Sequence, residues 1–423
     1  MTTLTSKLAV DGGTPVIGRR LPLGKGVALL GAEERAAVLE VLESRSLFRY
    51  YGPQFLDRTG AFEAAVCDQL EARHAVATSS GTAALRTALA ALGAGCGDEV
   101  IVPAFTFIAT VNAVVVAGAV PVFAEIDDTL GIDAGDVESK VTSRTVAVIP
   151  VHLENAACDL DPLLSVARVR GVAVLEDAAQ SIGATYRGQA LGTFGDLGTF
   201  SLQLEKNITA GEGGVIVTGD RRLFERAARY QDQGGQFFTS HGGGRGDELD
   251  DPFVGENLRM TELAAAIAGV QLTRLPGLLA AMRANKARIL AALGPVDGLQ
   301  LRRLLDAEGD GGSSITWFAS SGDIAADFVR ALRAEGVPTV QMYNGLPVYA
   351  TPSILERRTA SDKGGPWCCA EHPSRVVYRM GMCPQTESLA ARSFTVGVGP
   401  AFSAADCDDV ATAAAKVAAH LLG

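Results

Sequence analysis

The sequence predicts an α/β fold built on a mostly parallel sheet, followed by a smaller α+β lobe. Three observations lead there. Between residues 70 and 220 short apolar runs alternate with helical patterns, the arrangement of a sheet covered on both faces. One long helical pattern, 261–293, comes next. Beyond it the alternation stops, and short β-rich runs mix with helices.

The elements follow in order. HAVATSSGTAALRTALAALGA reads as strand, turn and helix, its alanines and leucines favouring helix over 82–92. DEVIVPAFTFIATVNAVVVAGAVPVFAEID reads as strand, helix, strand. TVAVIPVHL, VAVLEDAAQSIGA, GTFSLQ and GGVIVTGD supply further β-rich runs. Pro276 predicts a kink or break in the long helix. SSITWFAS, a helix over 324–335 and VPTVQMYNG make up the small lobe, and a last helix is expected over 404–422. Two stretches read as irregular: DQGGQFFTSHGGGRGDELDDP, a glycine-rich loop fit for a lid or an interface, and residues 350–385.

Bulk composition narrows the function. A chain of 423 residues, 48% hydrophobic and 20% charged, is a compact protein rather than a disordered one. Its length suits two domains, or one domain with a smaller lobe. The net charge of −11 argues against nucleic-acid binding. Seven scattered cysteines without C-x-x-C spacing predict neither a zinc site nor a disulfide framework, and adjacent Cys368 and Cys369 read as incidental. No apolar core of a signal peptide opens the chain, and no uninterrupted apolar run reaches about 18 residues. The expectation is a cytoplasmic, reducing location without a membrane span.

The chemistry centres on FSLQLEKNITAGEGGVIVTGD. Lys206 stands a few residues before a Gly-Glu-Gly-Gly tract, between two β-like runs. A lysine kept for solubility needs no such setting; one that must leave water, lose its proton and bond a carbonyl carbon does. Upstream, TSSGTAAL presents backbone amides at a helix start, where the dipole favours an anion. Ser79, Ser80 and Thr82 can equally serve only as caps. VAVLEDAAQSIGA ends a strand in Glu176 and Asp177, at the edge where ligands bind in open α/β sheets. Asp177 can cap a helix, or keep a pyridine nitrogen protonated so that the ring becomes an electron sink. Gln180 lies one turn on and shares that side. In PAFTFIATVNAV, Phe105 and Phe107 are core residues or a platform for a flat cofactor. An anion-binding helix start, an aromatic, a strand-end aspartate and a lysine beside glycines together describe a pyridoxal 5′-phosphate site.

The blocks SSGTAAL, VPAFTFIATVNAV, EDAAQSIGA, GDLGTFSLQLEKNITAGEGGVIVTGD and GENLRMTELAAAI resemble the DegT/StrS family of pyridoxal-phosphate-dependent sugar aminotransferases. The resemblance covers most of the chain. It implies the aspartate-aminotransferase-like fold (fold type I), with a seven-stranded sheet. An N-terminal arm (1–25), a large cofactor domain (26–270) and a smaller C-terminal domain (271–423) are expected. It also implies a homodimer with shared active sites. By position, Lys206 is the Schiff-base lysine and proton shuttle, Asp177 pairs with the ring nitrogen, and Gln180 contacts the ring hydroxyl. Phe107 stacks on the ring. Gly81, Thr82 and Ser201 hold the phosphate, with Asn257 reaching it from the neighbouring subunit; Asn257 can otherwise cap the helix that follows.

Departures from the family pattern refine this. Dehydrating members carry histidine where this chain has Lys206, so amino transfer is expected. Gln203, TVGVGPAFSAADCDDV and LPVYATPSILERRTA resemble members that aminate keto-cyclitols (inososes). Glu154 and Asn155 stand where an aromatic or basic residue and a glycine are usual; Glu154 faces solvent or accepts hydrogen bonds from a polyol or amine. Glu205 is also atypical, without an expected catalytic role. Arg45, Arg49, Tyr50 and Tyr51 in ESRSLFRYYGP are candidates for substrate contact or plain surface residues, and His152 and Arg379 are candidates for substrate contact or structural residues.

The function expected is amino transfer from L-glutamine or L-glutamate to a keto-sugar or keto-cyclitol, in aminocyclitol or amino-sugar biosynthesis. A lyase or dehydratase on the same site would need no second, keto substrate. A catalytically silent homologue has no physical reason to keep Lys206, Asp177, Gln180 and Ser201 in register. A dinucleotide-binding dehydrogenase lacks its G-x-G-x-x-G turn.

Overall fold

The computed structural model describes residues 7–237, 253–361, 365–369 and 376–423. Most of the expected glycine-rich loop (238–252) and parts of the 350–385 excursion (362–364, 370–375) lie outside the described residues.

The large layer opens with α1 (Ala32–Ser44) and α2 (Arg58–Leu70), then β1 (His74–Thr78), α3 (Gly81–Leu92), β2 (Glu99–Pro103), α4 (Ile108–Ala117) and β3 (Val120–Ala124). It continues through α5 (Ala134–Lys140), β4 (Thr145–Val148), α6 (Leu160–Arg170) and β5 (Ala173–Asp177). A short hairpin of β6 (Thr185–Tyr186) and β7 (Gln189–Ala190) precedes β8 (Leu197–Ser201), β9 (Gly214–Thr218) and α7 (Arg221–Tyr230). Seven strands form the central sheet in the order β1-β9-β8-β5-β4-β2-β3. The run from β8 to β3 is parallel, whereas β9 lies antiparallel to both β1 and β8. Strands β2, β8 and β9 are buried along their whole length, which is why they read as continuous apolar runs rather than as alternating ones. The mostly parallel seven-stranded sheet and the α/β class agree with the sequence reading.

Helix α3 shows how local chemistry fixes the geometry. Ser80 caps it by accepting from the Ala83 N–H at 3.0 Å, and Gly93 ends it at φ +84°. Its Ala84, Leu85, Ala88 and Leu89 are buried in the core shared with α4.

Helix α8 (Glu262–Leu293) runs unbroken through Pro276, so of the expected kink or break the break does not occur. Leu272, Leu275, Leu278 and Leu279 around the proline are buried. That packing outweighs a proline penalty of about 3 kcal/mol. α8 is the one helix among the described residues long and apolar enough to cross a membrane, yet Ala265, Leu272, Leu275 and Met282 face the protein core. The smaller lobe contains β10 (Gln300–Leu301), β11 (Ser314–Phe318), α9 (Gly322–Ala334) and β12 (Thr339–Val340). The one-turn α10 (Pro352–Leu355) packs its Ile354 into the core of the large layer, and α11 (Pro384–Arg392), β13 (Ser393–Gly397) and α12 (Ala404–Leu421) complete the chain. The lobe's antiparallel sheet runs β10-β11-β13-β12, over a core that includes Trp317, Phe328 and Phe394.

The expectation of no disulfide is corrected: Cys96 and Cys369 are joined across 273 residues of sequence, their Cα atoms 6.1 Å apart. Tertiary folding brings them together, so spacing along the chain carried no signal of it. The Cys369 neighbour Cys368 is free and exposed.

Candidate active site

Lys206, Asp177, Gln180, Ser201, Gly81, Thr82 and Phe107 line one cavity of about 450 Å³. It opens at the carboxyl edge of the parallel strands, where β5 ends in Asp177 and β8 ends in Ser201.

At one end of the cavity lies the start of α3. The first amides of a helix have no intrahelical acceptor, and Ser80 Oγ takes only that of Ala83. A side chain at Gly81 would place its Cβ 2.7 Å from Ser201 Cβ, so the helix start presses directly on the end of β8. The Gly-Glu-Gly-Gly tract belongs to the same close fit. A Cβ on Gly214 would stand 2.3 Å from the Ser80 carbonyl oxygen, and Gly211 sits at φ +82°. The glycines let β9 lie against the turn that starts α3.

Asp177 is 5% exposed. The Thr110 hydroxyl donates to its Oδ2 at 2.7 Å and the Ala179 N–H to its Oδ1 at 3.1 Å. Burial pushes its carboxyl up from the ordinary value, against the hydrogen bonds and the nearby Lys206 charge, which pull it down. Burial likewise lowers the Lys206 ammonium, with Asp177 opposing. A buried carboxylate and a lysine biased toward the neutral amine therefore share one cavity. Gln180 is fixed by the Glu154 N–H, which donates to its Oε1 at 2.9 Å, while its Nε2 lies 3.4 Å from the Tyr343 hydroxyl.

These residues fit pyridoxal phosphate on three counts. Asp177 has no cation within ion-pair distance among the described residues, so a protonated ring nitrogen would supply one. The free amides at the α3 start and the Ser201 hydroxyl suit a phosphate. Phe107, at 55% exposure, leaves a ring face open to the cavity.

Other candidates lie elsewhere. His152 is fully buried; its Nε2 donates to Glu176 at 2.8 Å and its Nδ1 accepts the Cys158 N–H at 3.3 Å, so it offers no surface to a substrate. Arg49 is no surface residue: it bonds both Glu63 oxygens at 2.7 and 2.9 Å and the Ala77 carbonyl at 3.1 Å. The Tyr50 hydroxyl accepts from Gln231 at 3.0 Å, and burial pushes it up to about 12. Tyr51 is exposed, and the two tyrosines cluster with Phe48 and Phe237 rather than lining the cavity. Arg379 is exposed. Glu154 is half-buried and borders a separate small pocket with Arg302 and Lys286. Asn257 is exposed and does not cap α8; Thr261 does, accepting the Ala264 N–H at 3.2 Å. Sequence reasoning missed Thr110, Glu212 and Tyr343. Glu212 lies within the quoted glycine tract and lines the cavity, whereas Tyr343 comes from the small lobe and had no local signal.

The model of the DegT/DnrJ/EryC1/StrS aminotransferase family matches residues 29–415. A GDP-perosamine synthase of Caulobacter vibrioides is 46% identical over 227 residues, 52% of this chain and 57% of that protein. The L-glutamine:2-deoxy-scyllo-inosose aminotransferase of Streptomyces fradiae is 35% identical over 437 residues, 99% of each chain. Among solved structures, DesV of S. venezuelae aligns with a TM-score of 0.78 at 30% identity, covering 96% of this chain and 99% of that one.

Proposed function

The chain belongs to the DegT/DnrJ/EryC1/StrS aminotransferase family, and on that premise we propose that it binds pyridoxal 5′-phosphate and aminates a keto-cyclitol or keto-sugar. The donor in this reading is L-glutamine or L-glutamate. The observation that carries it is the single cavity shared by Lys206, Asp177, Gln180, Ser201 and the α3 start. The full-length similarity to an inosose aminotransferase favours a cyclitol acceptor.

When bound, the cofactor supplies an electron sink that lets a carbon next to an amine release its proton. The chain's residues do the rest. Gly81, Thr82 and Ser201 hold the phosphate. Asp177 keeps a proton on the ring nitrogen, and Gln180 orients the ring hydroxyl. Phe107 covers the ring face and excludes water. Lys206 would anchor the cofactor and, as a neutral amine, its Nζ would take up and return the proton of the donor or acceptor carbon. Burial lowers the Lys206 ammonium from its ordinary value, the direction that favours the neutral amine.

The working unit in this proposal is a homodimer, with exposed Asn257 reaching the partner's phosphate site. Mixing Lys206→Ala with Asn257→Ala protein tests it: restored activity in the mixture supports sharing, and two inactive pools that stay inactive speak against it. The proposed location is the cytoplasm. There the Cys96–Cys369 bond faces a reducing pool, and thiol alkylation in fresh cell extract reads its state.

The deciding experiment is the visible spectrum of the purified chain with pyridoxal phosphate, before and after L-glutamine or L-glutamate. A band that forms and then converts with donor supports the proposal, and keto-cyclitols are then screened against keto-sugar nucleotides. A band indifferent to both donors sinks the assignment of donor, and no band sinks the cofactor.

A further inference from the structure

Asn155 and Asn207 exchange side-chain amides inside the protein. Asn207 Nδ2 donates to Asn155 Oδ1 at 2.5 Å, and Asn155 Nδ2 donates to Asn207 Oδ1 at 3.3 Å. Asn207 directly follows Lys206, and Asn155 directly follows Glu154. Both are buried, at 0% and 2% exposure, and neither lines the cavity.

The pair also reaches outward. Asn207 Nδ2 donates to the Ile182 carbonyl at 3.1 Å. Asn155 Nδ2 donates to Ser313 Oγ at 2.8 Å, and the Ser313 hydroxyl donates to the Glu154 carbonyl at 3.2 Å. The Gly311 N–H donates to the Asn155 carbonyl at 3.0 Å. Glu154 and Asn155 sit at φ +56° and +66°, a left-handed pair that side chains rarely adopt. Asparagine tolerates that region better than most residues, and here its amide is fully engaged. On the other flank of the lysine, the Lys206 N–H donates to the Gln203 carbonyl at 3.0 Å.

We propose that the Asn155–Asn207 pair is a positioning device for Lys206. It clamps the chain just after the lysine to the loop whose Glu154 amide holds Gln180, and through Ser313 to the small lobe. The amine and Gln180 thereby face the cavity in fixed register, and the lysine is kept from swinging toward water. The catalytic consequence rests on Lys206 being the cofactor-bearing lysine, whereas the clamp itself rests on these hydrogen bonds, and it assigns a role to two residues that do not line the cavity.

The test uses Asn207→Ala, Asn155→Gly and the double variant of the full chain. Glycine is at ease at the positive φ of position 155, so that variant keeps the question open should Asn207→Ala fail to fold. The first readout needs no cofactor: the pH dependence of Lys206 acylation by acetic anhydride, read by mass spectrometry of its peptide. The second is the pH midpoint of the absorbance band with pyridoxal phosphate, together with kcat and donor KM. The clamp predicts that each variant raises the acylation midpoint toward that of an ordinary lysine. It also predicts that kcat falls about 10- to 100-fold with KM little changed. The double variant should match the singles, because all break one interaction. Folded variants with an unchanged acylation midpoint overturn the clamp. A wild-type chain that forms no band, yet shows the variant-dependent acylation, sinks the cofactor reading and keeps the clamp. A band with variant-independent acylation does the reverse.

Discussion

Thr110 donates its hydroxyl to Asp177 Oδ2 at 2.7 Å, and Thr106 Oγ1 stands 2.9 Å from that same hydroxyl. Helix α4 thus feeds a hydrogen bond into the carboxylate that ends β5. Thr110→Val keeps the shape and removes the donor. Asp177, already raised by burial, should rise further, because the Thr110 bond was lowering it. A hydrogen bond to a charged group is worth about 1.5–3 kcal/mol. The expected result is roughly tenfold or more weaker pyridoxal phosphate binding by spectroscopic titration, with the acid limb of the binding profile moved to higher pH. An acid limb that stays in place would separate Thr110 from Asp177.

Asp177 also carries a stability signature. Its folded pKa lies above the ordinary 3.8. Between those two values the folded chain holds a proton that the unfolded chain has released, so stability falls as pH rises through that window. Asp177→Asn should flatten that slope in urea melts of the cofactor-free chain.

Lys206 has the opposite sign. Burial lowers its pKa below 10.5, so between the lowered value and 10.5 the unfolded chain binds the extra proton. Stability should therefore rise with pH across that window. Lys206→Met should remove this slope and abolish turnover while leaving some cofactor binding. Sustained steady-state transamination by that variant would falsify the role given to the lysine.

Much of this site was legible because its residues are local to the strand–turn–helix grammar of the sheet. Ser80, Gly81 and Thr82 stand at a helix start, Asp177 and Ser201 at strand ends, and Gln180 a turn beyond. The same grammar was ambiguous for Glu176 and Asp177, adjacent carboxylates that point into different surroundings. Asp177 lines the cavity, whereas Glu176 accepts amides from Gly192, Phe194 and Gly195. Tyr343, the Cys96–Cys369 bond and the buried state of His152 and Arg49 were not legible. Each depends on contacts between segments far apart in the chain. The glycine tract was legible as a close approach, but the sequence could not say that Ser80 is what it approaches.

Glu176 yields a structural prediction. It is fully buried and receives the Gly192, Phe194 and Gly195 amides at 2.8, 2.6 and 2.7 Å, besides the His152 imidazole. Glu176→Gln removes the charge and turns an N–H toward other N–H groups. A loss of about 3–5 kcal/mol is expected from breaking such a buried charged network, measured as a fall in urea midpoint. A change under about 1 kcal/mol would mean the amides find other acceptors.

Variants of Phe107 test cofactor binding apart from folding. It is 55% exposed at the start of α4, its ring 6.5 Å from that of Tyr343. A half-exposed aromatic adds little to the core, so Phe107→Ala should leave the thermal midpoint of the cofactor-free chain nearly unchanged. If the ring stacks on the pyridine, truncation forfeits about 0.5–1.5 kcal/mol beyond the lost area, which is about 2- to 10-fold in cofactor affinity. Phe107→Tyr keeps the flat face and should recover most of it, whereas Phe107→Leu keeps apolar bulk without a π surface and should recover less. Equal recovery by leucine and tyrosine would assign the residue to water exclusion alone, and undiminished affinity in the alanine variant would remove it from the cofactor site.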